Sequence, residues 1–298
     1  MRDMANSSEV TARAPRPRRG IARFRPWAQT AFLAVWLAPL GKALQLHRFP
    51  SCVFHCYGCP LSSLACPIGV AAGFGDLPYF ALPLLVIGVL VLVGGLVGSL
   101  VCGWACPFGF LQDLAAKIPT PKFRIPGWMG YGRYVVLIGL VILVPYLWGK
   151  THPLYICNVC PAGALEAGVY NMAKQAVLGG PVEWMRARKF VILGVLLVAM
   201  LFTYRPWCKV LCPLGGLLAL FNRFSIFHLR FKAEECRECN LCRSRCSMGL
   251  KVEKRVNTAG CIRCLECTTC GAISPAAGRR TNQSSPKRKS PPARARST

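Results

Sequence analysis

Four apolar blocks alternate with polar, cysteine-rich segments along the chain, and they predict membrane-spanning helices. The second block, YFALPLLVIGVLVLVGGLVGSLV, covers residues 79–101 without a single charge. A helix of that length can cross the hydrocarbon core of a bilayer, which needs about 17–25 apolar residues. The predicted spans lie near residues 26–45, 79–101, 134–148 and 189–204.

The third and fourth blocks are shorter than that range between their flanking charges. They still serve as spans if the flanking side chains extend their charged ends to the membrane surface. These side chains are Arg133, Lys150, Lys189 and Arg205. The alternative is a pair of buried helices in a soluble domain. We favour spans, because no soluble domain of this chain would cover the second block.

The distribution of Lys and Arg predicts the orientation of the spans. Seven arginines precede residue 26, whereas residues 46–78 contain only Arg48. Short cytoplasmic flanks carry the excess of positive charge, so the N-terminus is expected in the cytoplasm. Four spans then return the C-terminus to the same side, although the five Lys and Arg of residues 149–189 count against this orientation. The predicted location is a bacterial-type cytoplasmic (inner) membrane, multi-pass, with both termini cytoplasmic.

The formal charge of +26 suggests a nucleic-acid-binding protein, but its distribution argues against that class. Much of the excess lies in two tails that are rich in Pro, Ser, Ala and Thr, a composition that predicts disorder. Basic tails beside spans contact anionic lipid, and no basic face interleaved with aromatic residues accompanies them. The predicted domains are a basic tail, a membrane domain, a ferredoxin-like domain and a second basic tail: residues 1–25, 26–225, 226–273 and 274–298.

The cysteines repeat together with the spans. Each half of the membrane domain consists of a span, C-x-x-C-P, a second span and C-x-x-x-C-P-x-G. The last motif occurs as CGWACPFG, with Cys102 and Cys106, and as CKVLCPLG, with Cys208 and Cys212. Both halves enter the membrane from the same side. The predicted membrane domain is therefore a parallel two-fold repeat whose axis follows the membrane normal.

This symmetry would bring cysteine pairs together across the axis on both membrane faces. Iron–sulfur clusters and structural zinc both require four convergent thiolates. We interpret the inner pairs as a candidate site for an additional cluster or metal, with buried structural thiols as the alternative: Cys102, Cys106, Cys208 and Cys212. The outer cysteines, in a compartment where disulfides form, are candidates for a disulfide or dithiol as well as for metal: Cys52, Cys56, Cys59, Cys66, Cys157 and Cys160.

Two dense cysteine runs follow the last span. CRECNLCRSRC begins at Cys236, and CIRCLECTTC begins at Cys261. The bacterial ferredoxin run is C-x2-C-x2-C-x3-C-P, in which three thiolates bind one cluster and the fourth binds the other. Zinc modules, the alternative, usually use separated C-x-x-C pairs. The runs therefore predict a module with two [4Fe–4S] clusters.

Cross-ligation divides the eight cysteines of these runs into two sets of ligands. One cluster takes Cys236, Cys239, Cys242 and Cys270. The other cluster takes Cys261, Cys264, Cys267 and Cys246. The second run departs from the ferredoxin pattern, because only two residues separate its last two cysteines and Gly271 follows in place of proline.

The predicted fold is an α-helical integral membrane protein of about four transmembrane helices in a parallel two-fold repeat. A small cytoplasmic module similar to bacterial ferredoxin, with two [4Fe–4S] clusters, follows it. With these motifs the chain resembles the membrane polyferredoxin family of NapH, MauN and NosR-type proteins. The resemblance rests on CGWACPFGFLQDL, CKVLCPLGGLLALFNRFS, CYGCPLSSLACPIG and the ferredoxin runs, and it covers residues 27–272.

The resemblance implies electron transfer between the quinone pool and a redox partner protein, with clusters on the cytoplasmic face. The chain would act as a non-catalytic subunit or as a component of a quinol dehydrogenase. Two alternatives stay open. One is a membrane assembly or regulatory protein with structural or sensory clusters, and the other is a protein whose outer thiols handle copper or another soft metal.

Overall fold

The computed structural model of the chain describes most of the predicted membrane and ferredoxin-like segments. The described residues are 20–36, 53, 56, 66–72, 81–149, 151–179, 187–236 and 239–278. Within them the structure is mostly helical, with one pair of strands. Cys52, Cys59 and most of both predicted tails lie outside the described residues.

Eleven helices precede the ferredoxin-like module in the described part of the chain. Those of the first half are α1 (Arg25–Trp36), α2 (Pro67–Ala72), α3 (Ala81–Val97), α4 (Leu100–Trp104), α5 (Pro107–Ala115) and α6 (Gly127–Trp148). Those of the second half are α7 (Ile156–Val159), α8 (Tyr170–Val177), α9 (Ala187–Phe202), α10 (Pro206–Val210) and α11 (Pro213–Phe221). A π-helical segment, Gly163–Val169, leads into α8.

Among the described helices, α6 alone is long and apolar enough to cross a membrane. Its 22 residues extend about 33 Å at 1.5 Å per residue. It is longer than the predicted span 134–148, because a 3-10 turn, Gly127–Tyr131, begins the helix upstream of Arg133. The helices α3 and α9 have 17 and 16 residues.

A left-handed residue follows each of these two helices. Helix α3 ends before Gly98, with φ of 58°, so the predicted span 79–101 is broken near its end. A Cβ at Gly98 would lie 2.5 Å from Oδ1 of Asn222, so a side chain does not fit. In the second half, Arg205 has φ of 48° and directly precedes α10. Close packing at both breaks, which periodicity does not reveal, ends the helices there.

The segments after the two breaks fold alike. Helices α4 and α10 each have five residues, and each leads to a cysteine that precedes a nine-residue helix, α5 or α11. Both nine-residue helices begin with proline, which suits this position because its missing N–H would find no partner in the helix. The C-x-x-x-C-P-x-G motif thus forms the same local structure twice. The four-span repeat as a whole stays a prediction.

One hydrophobic core joins the two halves. Its buried side chains come from α2, α3, α6, α9 and α11. The outward faces of the long helices are apolar as well: Leu92 of α3, Ile138 of α6 and Val195 of α9 are each at least 60% exposed. Apolar surface of this extent is typical of a membrane or interaction face.

The ferredoxin-like module is closed by strands β1 (Phe227–Phe231) and β2 (Ile273–Ala277), which pair antiparallel. The cysteine runs lie between them, together with helices α12 (Leu241–Ser244) and α13 (Val252–Arg255) and the 3-10 turn Glu266–Cys270. Strand β2 continues to Ala277, four residues beyond the predicted end of the module, because it pairs with the whole of β1.

The N-terminal segment packs on this module. Ala22 is buried in the same cluster as Leu229 and Ile273, and Arg25 is 6% exposed. Residues 20–25, which the composition assigns to the basic tail, therefore belong to the folded part of the chain. Their contacts are made with residues about 80 to 250 positions away, which a local composition cannot indicate.

Candidate metal centres

The second ferredoxin run folds around the last cysteine of the first run. The thiols of Cys261, Cys264 and Cys267 all lie within electrostatic range of Cys246. Burial raises the pKa of Cys261 to about 11, and the neighbouring thiols of Cys264 and Cys246 contribute to this shift. These four residues are the set that cross-ligation predicts for one cluster.

The other predicted set is centred on Cys242 and Cys270. Cys242 follows the first residue of α12, Cys270 ends the 3-10 turn, and a hydrogen bond joins their thiols. This bond, the largest cause, lowers the pKa of Cys270 to about 6. Cys236 and Cys239 lie on the segment that leads into α12. The contact joins two members of the predicted set, and a site made of all four cysteines stays a prediction.

The backbone of the second run is shaped to hold charged sulfur. Arg263 and Leu265 are left-handed, with φ of 49° and 64°, and they turn the chain between successive cysteines. The sulfurs of Cys261, Cys264 and Cys270 each accept a hydrogen bond from the backbone N–H of the residue two positions later in the chain. Hydrogen bonds to ligand sulfurs stabilise a negatively charged cluster and help to set its potential. These residues therefore fit a [4Fe–4S] cluster.

The two inner pairs meet at one cavity, as sequence symmetry suggests they should. The sulfurs of Cys102, Cys106 and Cys208 lie within electrostatic range of Cys212, and all four residues line the same cavity. We call these four residues the inner quartet. Cys261 of the ferredoxin-like module lines the same cavity.

Polar groups contact the buried sulfurs of this quartet. Nε2 of Gln112 donates to Sγ of Cys208 at 3.0 Å, and the N–H of Gly215 donates to Sγ of Cys212 at 3.3 Å. Burial raises the pKa of Cys208 to about 11, while the nearby Arg205 opposes the shift. Gln112 is itself 1% exposed, and its Nε2 also donates to the carbonyl of Phe108 at 3.3 Å, which holds the side chain in place.

Close packing joins the inner quartet to the ferredoxin-like module. A Cβ at Gly103, between the cysteines of the first inner pair, would lie 2.7 Å from the carbonyl oxygen of Ile262. Asn222 is fully buried and links the two parts: its Oδ1 accepts the N–H of Ser99, and its Nδ2 donates to the carbonyl of Cys261 at 2.7 Å. The inner quartet and the second ferredoxin run thus form one rigid junction.

A buried ion network lies beside this junction. Nε of Arg205 donates to Asp113 at 2.7 Å, and Arg25 also pairs with Asp113. The guanidinium of Arg205 donates to the carbonyl of Cys102 at 3.1 Å, and Arg25 donates to the carbonyl of Gly103 at 2.9 Å. Burial would raise the pKa of Asp113, but Arg205 and Arg25 more than offset it and lower the pKa.

Four of the predicted outer cysteines also lie together. Cys160 is within electrostatic range of Cys56, Cys66 and Cys157. Cys66 directly precedes α2, and Cys160 directly precedes the helical residues that begin at Pro161. We call Cys56, Cys66, Cys157 and Cys160 the outer quartet. Burial raises the pKa of Cys66 to about 11.

In the described part of the chain, no three His, Cys, Asp or Glu side chains are close enough to hold one metal ion. A zinc ion needs all its ligands within about 2.0–2.3 Å of one point. The thiolates of an iron–sulfur cluster bind separate irons and stand further apart.

Sequence analysis missed two features of these sites. The residues that join the membrane part to the module, above all Asn222 and Arg205, have no local motif because their partners are distant in sequence. The second feature is a repeat that can be read in the sequence itself. The motif C-P-x-G occurs four times, beginning at Cys66, Cys106, Cys160 and Cys212. Each copy begins a helix, which makes Cys66, rather than Cys59, the counterpart of Cys160.

Comparison with protein families identifies a 4Fe-4S binding domain in two segments, residues 79–126 and 188–232. The first segment contains Cys102 and Cys106, and the second contains Cys208 and Cys212. The match therefore falls on the inner quartet, upstream of both ferredoxin runs. No solved structure matches the chain.

Two proteins of Methanocaldococcus jannaschii are similar to this chain. MJ0749 is 32% identical over 199 residues, which are 62% of this chain and 68% of the relative. MJ0750 is 30% identical over 243 residues, which are 76% of this chain and 92% of the relative. YccM of Escherichia coli K12, whose name proposes a role in electron transport, is 27% identical over 66% of this chain and 54% of the relative.

Relatives with more specific names match as well. The ferredoxin-type protein NapH of Haemophilus influenzae is 24% identical over 64% of this chain and 64% of the relative. The methylamine utilization ferredoxin-type protein MauN of Methylobacillus flagellatus is 26% identical over 56% of this chain and 58% of the relative. The regulatory protein NosR of Pseudomonas aeruginosa is 33% identical over 56% of this chain and 22% of the relative.

Proposed function

The chain belongs to the NapH/MauN/NosR-like family of ferredoxin-type proteins, as its motifs predict, and on that premise we propose a function for it. It is a membrane-bound iron–sulfur protein that passes electrons between quinone or quinol and a redox partner protein. The observation that carries this proposal is the cavity shared by the inner quartet and Cys261, because it connects the membrane part with the ferredoxin-like module.

Each group of convergent cysteines has a role in the proposal. When bound, an iron–sulfur cluster accepts and releases one electron at a time. One ferredoxin-type cluster is held by Cys236, Cys239, Cys242 and Cys270. The second is held by Cys246, Cys261, Cys264 and Cys267. The inner quartet holds an additional cluster, which the match of the 4Fe-4S binding domain to residues 79–126 and 188–232 supports.

The contacts between these groups provide a short path for electrons. Cys261 belongs to the ferredoxin-like set and also lines the cavity of the inner quartet. Gly103 packs against the backbone of Ile262 and Cys264, so protein atoms, rather than solvent, fill the space between the two sites. Arg205 and Arg25 add positive charge beside this path, which favours the reduced, more negative state of a nearby cluster.

The outer surface of the helices supports a location in the membrane. Apolar side chains of α3, α6 and α9 face outward, and burying them in lipid would remove them from water. The aromatic residues Trp128 and Tyr131 at the start of α6 are 72% exposed, as is typical of side chains at a membrane interface. We therefore propose four spans, with the module and both termini in the cytoplasm.

A second cavity is suited to a quinone head group. It has a volume of about 740 Å³ and lies between the start of α6 and the ferredoxin-like module. Trp128, Tyr131 and Tyr134 provide aromatic walls, while Lys209 and Arg255 provide donors for carbonyl oxygens. Arg133 lines both this cavity and that of the inner quartet. Ala259 lines both cavities as well, so the proposed quinone site adjoins the cavity of the inner quartet.

A regulatory function is the second candidate, because one relative, NosR, is named a regulatory protein. In that case the clusters would sense a redox signal without exchanging electrons with quinol. The two candidates differ in one measurable property, the rate at which quinol reduces the clusters.

The test uses the full chain, purified anaerobically in detergent, and a water-soluble quinol analogue. We expect the quinol to reduce the clusters, with electron paramagnetic resonance as the readout. Replacing Trp128 and Tyr131 by alanine should slow this reduction at least tenfold, while reduction by dithionite is unchanged. The matched control replaces Tyr146 and Trp148, exposed aromatic residues at the other end of α6, and should have no effect.

Clusters that dithionite reduces but quinol does not would contradict the electron-transfer proposal and favour regulation. Cysteine sites that hold zinc in place of iron would contradict both candidates. An equal effect of the two double substitutions would show that the cavity at the start of α6 is not the quinone site.

A further inference from the structure

The outer quartet has the construction of a binding site. Its four cysteines come from three separate segments: residue 56, residue 66 and the stretch around 157–160. Cys66 and Cys160 are thiols, and their sulfurs converge with those of the other two. No family match covers this part of the chain, because the matched segments are residues 79–126 and 188–232.

Backbone groups point at the sulfurs of this quartet. The N–H groups of Ile68 and Gly69 donate to the sulfur of Cys66, and the N–H of Gly163 donates to that of Cys160. A Cβ at Gly163 would lie 3.6 Å from Sγ of Cys56, so glycine leaves room for the approach of this sulfur. Neutral thiols are weak acceptors, whereas metal-bound thiolates are strong ones, so this arrangement suits charged sulfur.

A carboxylate fixes the segment that supplies Cys56. Oε2 of Glu166 accepts the backbone N–H of Cys56 at 2.6 Å, across 110 positions of sequence. The residues around the quartet are apolar and buried, including Ile68, Ile156 and Ala162. Cys157 itself reaches the surface, and in the described part of the chain no Lys or Arg is a main electrostatic neighbour of Cys66 or Cys160. Four converging thiolates therefore need metal cations to balance their charge.

The outer quartet lies close to the inner quartet. Val53 lines the cavity of the inner quartet, and Cys56 is only three residues further along the chain. Three residues span at most about 11 Å when fully extended. In addition, helix α2, which follows Cys66, packs against helix α11, which follows Cys212. Both quartets thus border a single hydrophobic core.

We propose that Cys56, Cys66, Cys157 and Cys160 ligate an iron–sulfur cluster, which extends the path of redox centres beyond the inner quartet, further into the membrane part. The site itself rests on the geometry above, and its use as an electron relay rests on the proposed function. Each relay step moves one electron between neighbouring clusters, so that one is oxidised and the other reduced, and no proton or bond is transferred.

The experiment measures iron and acid-labile sulfide per chain in the full protein after anaerobic purification. The double variant Cys66→Ser/Cys160→Ser should lose about two to four irons relative to the unsubstituted protein, according to cluster type. The signals of the ferredoxin-type clusters should persist in its electron paramagnetic resonance spectrum, which also shows that it folds. The control variant Cys52→Ser, which removes a thiol from the same predicted loop, should keep the full iron content.

A second variant keeps the test decisive if the buried substitutions prevent folding. Cys157 is exposed, so Cys157→Ser should remove the same irons at little cost to stability. Unchanged iron in Cys157→Ser or in the double variant would overturn the proposal, as would loss of iron in Cys52→Ser. A disulfide within the quartet, found by mass spectrometry, or copper or zinc in place of iron would overturn it too.

The measurement separates this site from the proposed function. Loss of iron in these variants, without any reduction of the protein by quinol, would support the outer cluster and contradict the exchange of electrons with quinol. Reduction of the protein by quinol, together with an unchanged iron content in these variants, would support the exchange of electrons with quinol and contradict the outer cluster.

Discussion

Asp113 is the carboxylate on which two buried arginines depend. Arg205 is 1% exposed and Arg25 is 6% exposed, and both guanidinium groups pair with this one side chain. A charge in the interior is strongly destabilising when its partner is removed. The network also fixes backbone carbonyls of the first inner cysteine motif, so its effect extends to the site.

We predict that Asp113→Asn destabilises the protein by about 3–5 kcal/mol, because it leaves the buried Arg205 without a counter-ion and Arg25 with Glu266 alone. Thermal unfolding of the purified protein measures this change. The control Glu235→Gln removes an exposed ion pair with Lys232, for which we expect about 0–1 kcal/mol.

The pH dependence provides a second check on the same pair. Arg205 and Arg25 lower the pKa of Asp113. The ionised side chain therefore contributes its full share to the free energy of unfolding above the ordinary pKa of a carboxyl group. That share is lost as the pH falls through the lowered pKa. The stability advantage over Asp113→Asn should therefore be constant near neutral pH and shrink in acid. An advantage that grows in acid would contradict this account of the network.

At the scale of elements, the short helix α4 connects the membrane part to the ferredoxin-like module. It follows the left-handed Gly98 and carries Cys102 and Gly103. The missing side chain of Gly103 allows the second ferredoxin run to pack directly on this helix. In the other half, α10 follows the left-handed Arg205 and carries Cys208 in the equivalent place.

We predict that Gly103→Ala separates α4 from the module, because the new Cβ would lie 2.7 Å from the carbonyl oxygen of Ile262. The expected cost is about 1–3 kcal/mol, as for other overpacked sites, with a changed resonance spectrum of the cluster held by Cys261. Gly95→Ala is the matched control in α3, since a Cβ there meets nothing within 4 Å. Equal effects of the two substitutions would show that the contact with Ile262 is unimportant.

At the scale of the whole molecule, three groups of thiols follow one another through a single folded unit. Cys261 of the ferredoxin-like sets lines the cavity of the inner quartet, and so does Val53, which stands three positions before Cys56 of the outer quartet in the sequence. The order leads from the ferredoxin-like module into the membrane part, because helix α2, which follows Cys66, packs against α6 and α11.

We predict that both termini are cytoplasmic, because the arginine-rich N-terminal segment precedes the first span. Epitope tags at the two ends should be digested by protease in inside-out vesicles and protected in right-side-out vesicles. Digestion of the two tags in opposite vesicle types would indicate an odd number of spans. Digestion of both tags only in right-side-out vesicles would reverse the orientation.

The cysteine spacings and apolar blocks carry local information, so much of the chemistry follows from the sequence alone. The family prediction is confirmed, and a 4Fe-4S binding domain and a mostly helical structure are present as predicted. The runs from Cys236 and Cys261 indicate clusters because a short loop must supply several ligands to one site. The number of clusters, the four spans and the individual ligands stay predictions.

The tertiary structure decided which thiols meet and what holds them together. It brought Cys56, Cys66, Cys157 and Cys160 together and placed Cys261 beside the inner quartet. It also recruited Arg25 from the apparent tail to pair with Asp113. These outcomes depend on contacts between residues some 80 to 160 positions apart, as in the bonds Arg25–Asp113 and Ser99–Cys261. A local pattern determines which chemistry a segment can perform, whereas only long-range packing determines its partners.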